Sequence, residues 1–261
     1  MKRMLVTADM HCGHRVGLTP PDWQSTFVKN SRTQHNKYAE LQKEAWRWYK
    51  KKIDALQPID ILAHNGDAID GKGSLSGTTE QREADRVEQI EMAIACIECV
   101  KAKEIVMTFG TGYHVGNAED WESLIANAVN AKIGSHEWPE VNGVIFDLKH
   151  HVGGSSIPHG RHTATARDML WNELYAIDGK QPRADFLLRS HVHYYSIEGN
   201  AKKTAWTTPA LQCMGTKFGA RRCSGLVDFG FMWFDIDEKG NTTWHTEIAD
   251  LKLEHATTTK M

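Results

Sequence analysis

Short apolar segments that each lead to an Asp or a His constrain the fold of this chain more than any other feature. The predicted strands of this kind are Met4–Thr7, Ile59–Leu62, Ile105–Met107, Val144–Phe146 and Phe186–Leu188. Short apolar runs between turn signals are typical of buried strands. Amphipathic helical patterns separate them, and this alternation favours right-handed crossovers and parallel neighbours. We therefore expect an α/β protein in which several strand ends deliver polar side chains to one point.

Four helices are predicted between these strands. The first covers Ser31–Leu56, where Pro58 stops it. Thr78 or Thr79 is expected to cap the second, and the others cover Ala118–Val129 and Ala164–Ala176. The steps of three and four between apolar residues predict two buried stripes. They are Tyr38, Leu41, Ala45, Trp48 and Leu56 in the first helix, and Val87, Ile90, Ile94 and Ile97 in the second.

The last part of the chain is predicted to be mostly strand. Its segments are Thr204–Thr208, Leu226–Ile236 and Thr242–Glu247, and Gly240-Asn241 forms the turn between the last two. Two packed sheets with helices outside would accommodate both parts of the chain. A length of 261 residues suits one large domain, so we expect a single domain over residues 1–261.

Composition sets limits on partners and compartment. The formal net charge of −2 creates no global field that would draw the protein onto nucleic acid or a membrane. No apolar run approaches the length of a membrane span, so no membrane partner is expected. The N-terminal segment is predicted to be a strand and not a signal peptide, since Asp9 follows it at once. The oligomeric state is left open.

Cysteine usage favours a reducing compartment, the cytoplasm. An odd number of cysteines without a secretory leader argues against a disulfide framework. Cys96 and Cys99 form a C-x-x-C pair within a helical pattern. Because no second pair lies near them in sequence, we expect core packing and not zinc binding. The five cysteines are Cys12, Cys96, Cys99, Cys213 and Cys223.

Polar motifs stand where the predicted strands end. They are Asp9-Met10-His11, Asn65-Gly66-Asp67, Gly110-Thr111-Gly112-Tyr113-His114, His150-His151 and His191-Val192-His193. Alternate residues of an extended segment share a face, so the first and last motifs each present two ligands to one side. Hard carboxylates together with borderline imidazoles are what a two-metal hydrolytic site requires. The ordered set therefore predicts a metal site, although each motif alone is common.

The order of these motifs resembles the calcineurin-like metallophosphoesterase superfamily, whose motifs are D-x-H, G-D, G-N-H, H and G-H-x-H. The resemblance spans Asp9 to His193 and implies a four-layer α/β/β/α sandwich with two mixed sheets. Ser190 replaces the Gly of the last motif, and the third motif lacks its Asn. Purple acid phosphatases have a Tyr ligand near the position of Asp70, so that subclass is excluded.

The resemblance implies two divalent metal ions and direct hydrolysis by a hydroxide that bridges them. Mn²⁺ fits the mixed ligand set best, and Zn²⁺ or Fe²⁺ fits nearly as well. Asp67 is the predicted bridge, because two adjacent dications repel each other strongly. The predicted ligands of one ion are Asp9, His11, Asp67 and His193, and those of the other are Asp67, His150, His191 and His114.

Three catalytic assignments stay open in the sequence. His114 either replaces the missing Asn as a metal ligand or acts as the general acid that protonates the leaving group. Asp70 is expected to orient His11 from behind. His150 is favoured over His151 as the ligand, and the two exchange roles if the strand ends one residue later.

Substrate binding is expected from residues around these motifs. His151 and Arg161 are predicted to contact the substrate, because Arg161 and His162 open a helix and so face an anion favourably. A basic patch of Lys217, Arg221 and Arg222 with Phe218 is a candidate for binding a phosphate or nucleic-acid backbone. Trp23 and Phe27 either stack on a base or anchor their long loop.

The expected activity is that of a metal-dependent phosphodiesterase or nuclease acting on nucleic acid or nucleotides. The chain resembles compact Asp-x-His-x-Gly proteins that phages often carry, some of them related to the double-strand-break repair nuclease. A phosphomonoesterase acting on small molecules or phosphoproteins is the alternative. A non-catalytic interaction module, as in the retromer subunit of this superfamily, is disfavoured because Asp9, Asp67, His191 and His193 are all present. Fold membership does not decide the substrate.

Overall fold

The computed structural model describes residues 1–72, 79–115, 120–216, 226–254 and 258. Helices and strands alternate through most of the chain, and antiparallel strands end it. In chain order they are β1 (Lys2–Thr7), α1 (His35–Leu56), β2 (Ile61–Asn65), α2 (Arg86–Glu98), β3 (Glu104–Thr108), α3 (Gly112–Val115), α4 (Trp121–Ala128), β4 (Lys132–Gly134), β5 (Glu140–Val141), β6 (Val144–Lys149), α5 (Thr163–Ile177), β7 (Phe186–Arg189), β8 (Ser196–Gly199), β9 (Thr204–Thr207), β10 (Gly230–Ile236) and β11 (Thr242–Ile248).

The strands form two mixed sheets. The first has the order β11-β10-β1-β2-β3-β4, and the second has the order β5-β6-β7-β9-β8. In the first sheet β1, β2, β3 and β4 are parallel, whereas β10 runs antiparallel to β1 and β11 to β10. In the second, β6, β7 and β9 are parallel, whereas β5 and β8 are antiparallel to their neighbours. Helices connect the parallel strands β1 to β4 of the first sheet, and α5 connects β6 to β7 in the second.

Three apolar clusters define four layers. The first lies between the first sheet and helices α1, α2 and α4, the second lies between the two sheets, and the third lies between the second sheet and α5. Strand β1 shows how the layers separate, because Leu5 belongs to the outer cluster while Met4 and Val6 belong to the inner one. The predicted α/β/β/α sandwich with two mixed sheets is confirmed.

Helix α1 buries a different stripe from the predicted one. It begins at His35 and not near Ser31, and its apolar contacts to the first cluster continue at steps of four from Leu41 and Ala45 through Tyr49 and Ile53. Tyr38, Trp48 and Leu56 are only partly buried at the margin of that stripe. Each i+4 step turns by about 40° around the helix, so the buried face shifts away from Trp48, and Tyr38 and Leu56 lie in the first and last turns.

Helix α2 corrects two predictions. Its cap is Asp85, whose side chain accepts a 2.8 Å hydrogen bond from the amide of Val87, whereas Thr79 lies in a turn well before it and Thr78 lies outside the described residues. Val87 is 56% exposed, because the first turn of the helix directs it away from the sheet. Ile90 and Ile97 are buried as predicted, and Ile94 is partly buried.

The remaining boundaries differ for local reasons. The third predicted helix corresponds to α4, which begins at Trp121, and Asp120 caps it by accepting a hydrogen bond from the amide of Ser123. The predicted start at Ala118 lies outside the described residues. Strand β10 begins at Gly230, since Leu226 is exposed. The structure adds β4, β5, β8 and α3, which carry no apolar run long enough to predict a strand or helix.

Cysteines and aromatic residues outside the motifs serve packing. Cys96 is buried 3.8 Å from the Sγ of Cys12, and Cys99 is partly buried beside the same core cluster, as expected for packing. Trp23 packs against this cluster and donates a 2.7 Å hydrogen bond to Glu88, so it anchors its loop. Phe27, by contrast, is 65% exposed.

Candidate metal centre

Strand ends from both sheets meet at one point. Asp9, Asp67 and the third motif follow the parallel strands β1, β2 and β3, and the last two motifs follow β6 and β7 of the opposite sheet. Backbone hydrogen bonds of 3.0 Å from Asp9 to Gly66 and from His11 to Asp67 hold the first two loops side by side. The carboxyl ends of neighbouring parallel strands thus supply most of the polar side chains, as ligand sites of α/β sheets generally do.

The backbone is unusual at the positions that carry these side chains. Left-handed φ angles at residues other than Gly are uncommon and cost about 1–3 kcal/mol each, so they persist where surrounding contacts enforce them. Here they point several side chains of neighbouring loops toward one another. Five such residues belong to the motifs: Asp9, His11, Asp67, His191 and His193.

The side chains form three overlapping groups whose ligand atoms lie within 4.8 Å of one another. His11 belongs to two of the groups, and Asp67 belongs to two. Because of this sharing, the three groups make one continuous centre. The groups are Asp9, His11 and His193; His11, Asp67 and His114; and Asp67, His150 and His191. All seven residues predicted as ligands are therefore brought together, and their binding of a metal stays a prediction.

Asp67 lies at the middle of this centre. Its Oδ2 is 3.0 Å from Nε2 of His150 and 4.0 Å from Nε2 of His11, so one oxygen faces both ends of the site. Its Oδ1 accepts a 2.7 Å hydrogen bond from the amide of Thr111. The position suits the predicted bridge. Thr111, which the sequence did not single out, fixes the orientation of the carboxylate.

Asp9 holds the other side. Its carboxylate is fully buried, with Oδ1 3.1 Å from Nε2 of His193 and 3.8 Å from Nε2 of His11. Oδ2 accepts a hydrogen bond of 3.2 Å from the amide of His191. Oδ1 has no partner with hydrogen-bond geometry among the described residues, and the same holds for Nε2 of His150. Buried polar atoms without partners are costly, and these two face the space between the ligand groups, where a cation would satisfy them.

The electrostatics separate the site into charged and neutral ligands. Burial alone would raise the pKa of Asp67, but the charge of His150 keeps it well below its usual range. Burial alone would lower the pKa of His150, but Asp67 raises it to about 10. Burial lowers the pKa of His11 to about 4 with help from His114, and that of His191 to about 4 with help from His150. His11 and His191 are therefore neutral at pH 7, the form that binds metals.

His114 is held by its backbone-facing nitrogen. Its Nδ1 lies 2.8 Å from the carbonyl oxygen of Asp70, and a carbonyl only accepts, so Nδ1 carries the proton and Nε2 keeps a lone pair. Its ring packs edge-on against His11 with centroids 4.4 Å apart. His114 joins the group of His11 and Asp67, which differs from the prediction that it joins His150 and His191. Short helix α3 turns it back to that side.

The structure distinguishes the paired histidines. Because β6 ends at Lys149, His150 turns into the centre, where it is 2% exposed and its Nδ1 lies 2.7 Å from the carbonyl oxygen of Asn65. His151 is exposed, with its ring centroid 5.0 Å from that of His191. His150 therefore lies in the group with Asp67 and His191, whereas His151 belongs to none of the three groups; their roles as ligand and substrate contact stay predictions.

Asp70 lies behind both His11 and His114. Its Oδ1 is 3.8 Å from Nδ1 of His11 and 3.7 Å from Nδ1 of His114. These distances are longer than a hydrogen bond, so Asp70 lies near His11 but makes no direct hydrogen bond to its ring. Burial raises the pKa of Asp70 to about 6.

Arg161 lies beside the last motif. Its guanidinium is 4.5 Å from the ring centroid of Tyr194, the residue after His193. Its Nε is buried and has no hydrogen-bond partner among the described residues. Helix α5 begins two residues later, at Thr163, and anion binding by Arg161 stays a prediction. The basic patch of Lys217, Arg221 and Arg222 with Phe218 lies outside the described residues.

Two buried side chains that the sequence did not reveal connect the loops. Glu122 of α4 accepts hydrogen bonds of 2.9 and 2.7 Å from the amides of Ala68 and Gly110, so it joins the loops after β2 and β3. Asn65 donates a 2.7 Å bond to Ser190 in the opposite sheet. Ser190, which replaces the Gly of the family motif, therefore gains a structural role. No local pattern signals either contact, since each joins residues far apart in sequence.

Comparisons with known proteins find similar solved structures of low sequence identity. No family model and no curated protein matches the sequence. A solved archaeal phosphodiesterase is similar in structure, at 13% identity and a TM-score of 0.47 over 94% of this chain and 99% of that one. Zinc-complexed Vps29 from Entamoeba histolytica aligns at 13% identity and a TM-score of 0.44, over 94% and 98% of the chains. A predicted phosphoesterase from Streptococcus pneumoniae aligns at 11% identity and a TM-score of 0.39, again over 94% and 98%.

The architecture is read from the chain's own structure. Two mixed sheets are flanked by helices, and the Asp and His motifs lie at strand ends that face one another. The described residues have the four-layer α/β/β/α architecture that the resemblance to the calcineurin-like metallophosphoesterases implied. With identities of 11–13% and TM-scores below 0.5, the alignments carry no information on activity or substrate. Among the described residues, no helix is both long and apolar enough to cross a membrane.

Proposed function

We propose that this protein is a phosphoesterase that depends on two divalent metal ions and hydrolyses phosphodiesters of nucleic acid or nucleotides. One observation carries the proposal: three ligand groups are linked through His11 and Asp67 into a single centre, which would hold two neighbouring cations. A lone metal site would not need a carboxylate oxygen that faces imidazoles on two sides, as Asp67 Oδ2 does.

The residues present fit such ions. Asp9, His11, Asp67 and His193 would hold one ion, and Asp67, His150 and His191 would hold the other. His114, which shares a group with His11 and Asp67, would complete the coordination of the ion that those two residues hold. Mixed carboxylate and imidazole ligands suit Mn²⁺, and they also suit Zn²⁺ and Fe²⁺. When bound, such ions supply Lewis acidity toward phosphoryl oxygens and lower the pKa of water to near neutrality.

The protein's own contribution is orientation. The amide of Thr111 fixes the carboxylate of Asp67, and the amide of His191 fixes that of Asp9. Carbonyl oxygens accept from Nδ1 of His114 and of His150, so that Nε2 of each ring faces the centre. Ligands held in this way do not have to reorganise on binding, which is the arrangement that fast metal-assisted hydrolysis requires.

Substrate contacts are assigned to the exposed side of the centre. His151 and the Arg161 guanidinium, which stacks on Tyr194, lie beside ligand residues and would contact phosphate oxygens. Asp70 is assigned to support His11 and His114. A diester leaves one negative charge on phosphorus and a monoester leaves up to two, so the choice between them depends on how much positive charge this side presents.

A metal analysis combined with a paired substrate assay tests the proposal. Protein purified without chelator and reconstituted with Mn²⁺ is expected to hold close to two ions per chain. It should cleave bis(p-nitrophenyl) phosphate and short single strands, and EDTA should abolish both reactions. Asp67→Asn is expected to lose both ions and all turnover. The exposed Asp54→Asn, whose carboxylate pairs only with Lys50 on α1, is the matched control.

Each outcome decides between alternatives. A stoichiometry below one ion per chain that Asp67→Asn leaves unchanged would refute the two-metal centre. Full metal content with turnover of p-nitrophenyl phosphate alone would replace the diesterase by a phosphomonoesterase. Full metal content without turnover of either ester class would leave a metal-binding interaction module.

A further inference from the structure

Helix α5 has its apolar face on the outside. The residues that it buries are Thr165, Met169 and Asn172, of which only one is apolar. A surface helix normally buries its apolar stripe and exposes its polar one. The large apolar residues that α5 exposes instead, with their exposed fractions, are Leu170 (60%), Trp171 (49%), Leu174 (45%), Tyr175 (42%) and Ile177 (74%).

These five residues, here called the α5 patch, form one continuous surface. Leu170, Leu174 and Ile177 follow one another at steps of four and three, and Trp171 and Tyr175 are four apart, so all five lie along one side of the helix. The rings of Trp171 and Tyr175 are in contact, with centroids 5.7 Å apart. A continuous apolar surface rimmed by polar residues marks an interaction site, whereas single exposed apolar residues do not.

The orientation of α5 is fixed, so the patch cannot turn inward. Asn172 on the buried side donates to a carboxylate oxygen of Asp147 at 3.2 Å and to the carbonyl of Pro182 at 3.0 Å. Its own amide oxygen accepts from Lys203 at 2.6 Å and from the amide of Ala184 at 3.0 Å. Rotating the helix would break all four bonds and leave buried polar groups without partners.

Two opposite charges flank the patch. Arg167 precedes it and Asp178 follows it, and both are exposed with no ion pair or side-chain hydrogen bond in the described parts of the chain. They are eleven residues apart, which is close to three whole turns and about 16 Å along the axis, so both lie on the patch side. Asp178 is the C-cap of α5, an end where the helix dipole disfavours an anion. A cation from outside would remove that penalty.

We propose that the α5 patch is a two-fold interface between two copies of this chain, with their α5 helices antiparallel. Arg167 and Asp178 lie at equal distances along the helix from a centre midway between Trp171 and Leu174. A two-fold axis through that centre therefore places Arg167 against the partner's Asp178 and Asp178 against the partner's Arg167. It also places Leu170 against the partner's Tyr175 and Trp171 against the partner's Leu174.

Self-complementarity is what identifies the occupant as a second copy. In a two-fold contact one surface must match itself, with apolar residues at the centre and opposite charges at mirrored positions. The α5 patch has both properties. An unrelated protein would require an apolar surface but no such symmetry of charge.

Charge-swap variants test this arrangement by sedimentation or light scattering of the full chain over a range of concentrations. Wild type is expected to dimerise. Arg167→Asp alone and Asp178→Arg alone each put like charges at both flanks, and each is expected to raise the dimer dissociation constant at least about tenfold. Mixing the two variants restores opposite charges at both flanks, and so does combining both substitutions in one chain. Both combinations are expected to dimerise nearly as well as wild type.

Controls separate the interface from folding and from the metal centre. Lys51→Asp, an exposed charge reversal on α1, should leave the dimer unchanged. Far-UV circular dichroism and Mn²⁺ content should be the same for all variants, since none of the changed residues lies in the centre. Leu174→Glu, at the middle of the patch, should abolish dimerisation. A monomeric wild type, a dimer that neither single variant weakens, or a mixture no better than its components would each overturn the proposal.

Discussion

Replacing Arg189 with Met should destabilise the protein more than any comparable change of an exposed arginine. Arg189 ends β7, directly before Ser190 and the last motif, and its side chain is 2% exposed. Its guanidinium donates to Asp147 at 2.7 Å and to Asp168 at 2.8 Å. Asp147 is also buried, at 1% exposure. In the Met variant its carboxylate would keep the hydrogen bonds to His136 and Asn172 but lose the buried arginine that balances its charge.

The magnitude follows from the burial of both partners. Breaking a buried pair by removing one partner costs about 3–5 kcal/mol, because the remaining charge stays out of water. For a domain of this size that corresponds to a fall in Tm on the order of 10 °C. The matched control is Arg183→Met: its pair with Glu173 is 63% and 39% exposed, so it should cost less than about 1 kcal/mol.

Urea denaturation at pH 7, followed by tryptophan fluorescence, measures both variants in the presence of EDTA. The double variant Asp147→Asn with Arg189→Met should recover part of the loss, since it leaves no unpaired carboxylate at that position. A loss below about 1 kcal/mol for Arg189→Met, or a double variant with no recovery, would refute the buried-pair reasoning.

The same pair has a pH signature. Burial alone would raise the pKa of Asp147, but the hydrogen bond from His136 and the charge of Arg189 lower it to about 2. A lowered folded-state pKa gives stability that is present above the unfolded value of 3.8 and is lost as the pH falls toward 2. The contribution is about 2 kcal/mol at about 1.4 kcal/mol per pKa unit. Without Arg189, burial of Asp147 is less opposed, so the difference between wild type and Arg189→Met should be largest near pH 7 and shrink as the pH falls toward 2.

Three further predictions concern the centre and a helix cap. His114→Gln should lower the affinity for one ion if His114 is a ligand. If His114 is the general acid, the metal content should stay intact while esters with poor leaving groups are hydrolysed more slowly. Full activity on every ester would exclude both roles. Replacing Lys217, Arg221 and Arg222 together should weaken polynucleotide binding and reduce its salt dependence, while hydrolysis of small diesters stays unchanged. An unchanged salt dependence would exclude the basic patch as a polynucleotide-binding site. Asp85→Ala should cost about 1 kcal/mol in urea denaturation by removing the cap of α2, and no loss would contradict that role.

The sequence predicted the two-sheet fold and gathered the seven ligand candidates because both depend on a local signal. An apolar run that stops at an Asp or a His places that residue at a strand end, and parallel strands bring such ends together. The signal failed where the outcome depends on distant neighbours. The choice between His150 and His151 depends on where β6 ends, and the buried contacts of Glu122 join the loops after β2 and β3 to α4.

Helix α5 shows a second limit. Its sequence contains apolar residues at helical spacing, and such spacing predicts a helix without saying which face lies inward. The usual assumption would bury Leu170 and Leu174. The polar contacts of Asn172 with Asp147 and Lys203 reverse that choice, and they come from strands elsewhere in the chain.

The departure of the third motif from its family pattern has a structural counterpart. Where the family has Gly-Asn-His, this chain has Gly110-Thr111, and the amide of Thr111 holds the carboxylate of Asp67. The backbone then turns through α3, which carries His114 back to His11 and Asp67, and the carbonyl of Asp70 fixes its tautomer. The loop after β3, which lacks the family's Asn, thus brings the imidazole of His114 to the centre in a fixed orientation. That imidazole lies on the His11 side of the centre. If His114 is a ligand there, the ion held by His150 and His191 would have only Asp67 as a further protein ligand, and its coordination would be more open to substrate.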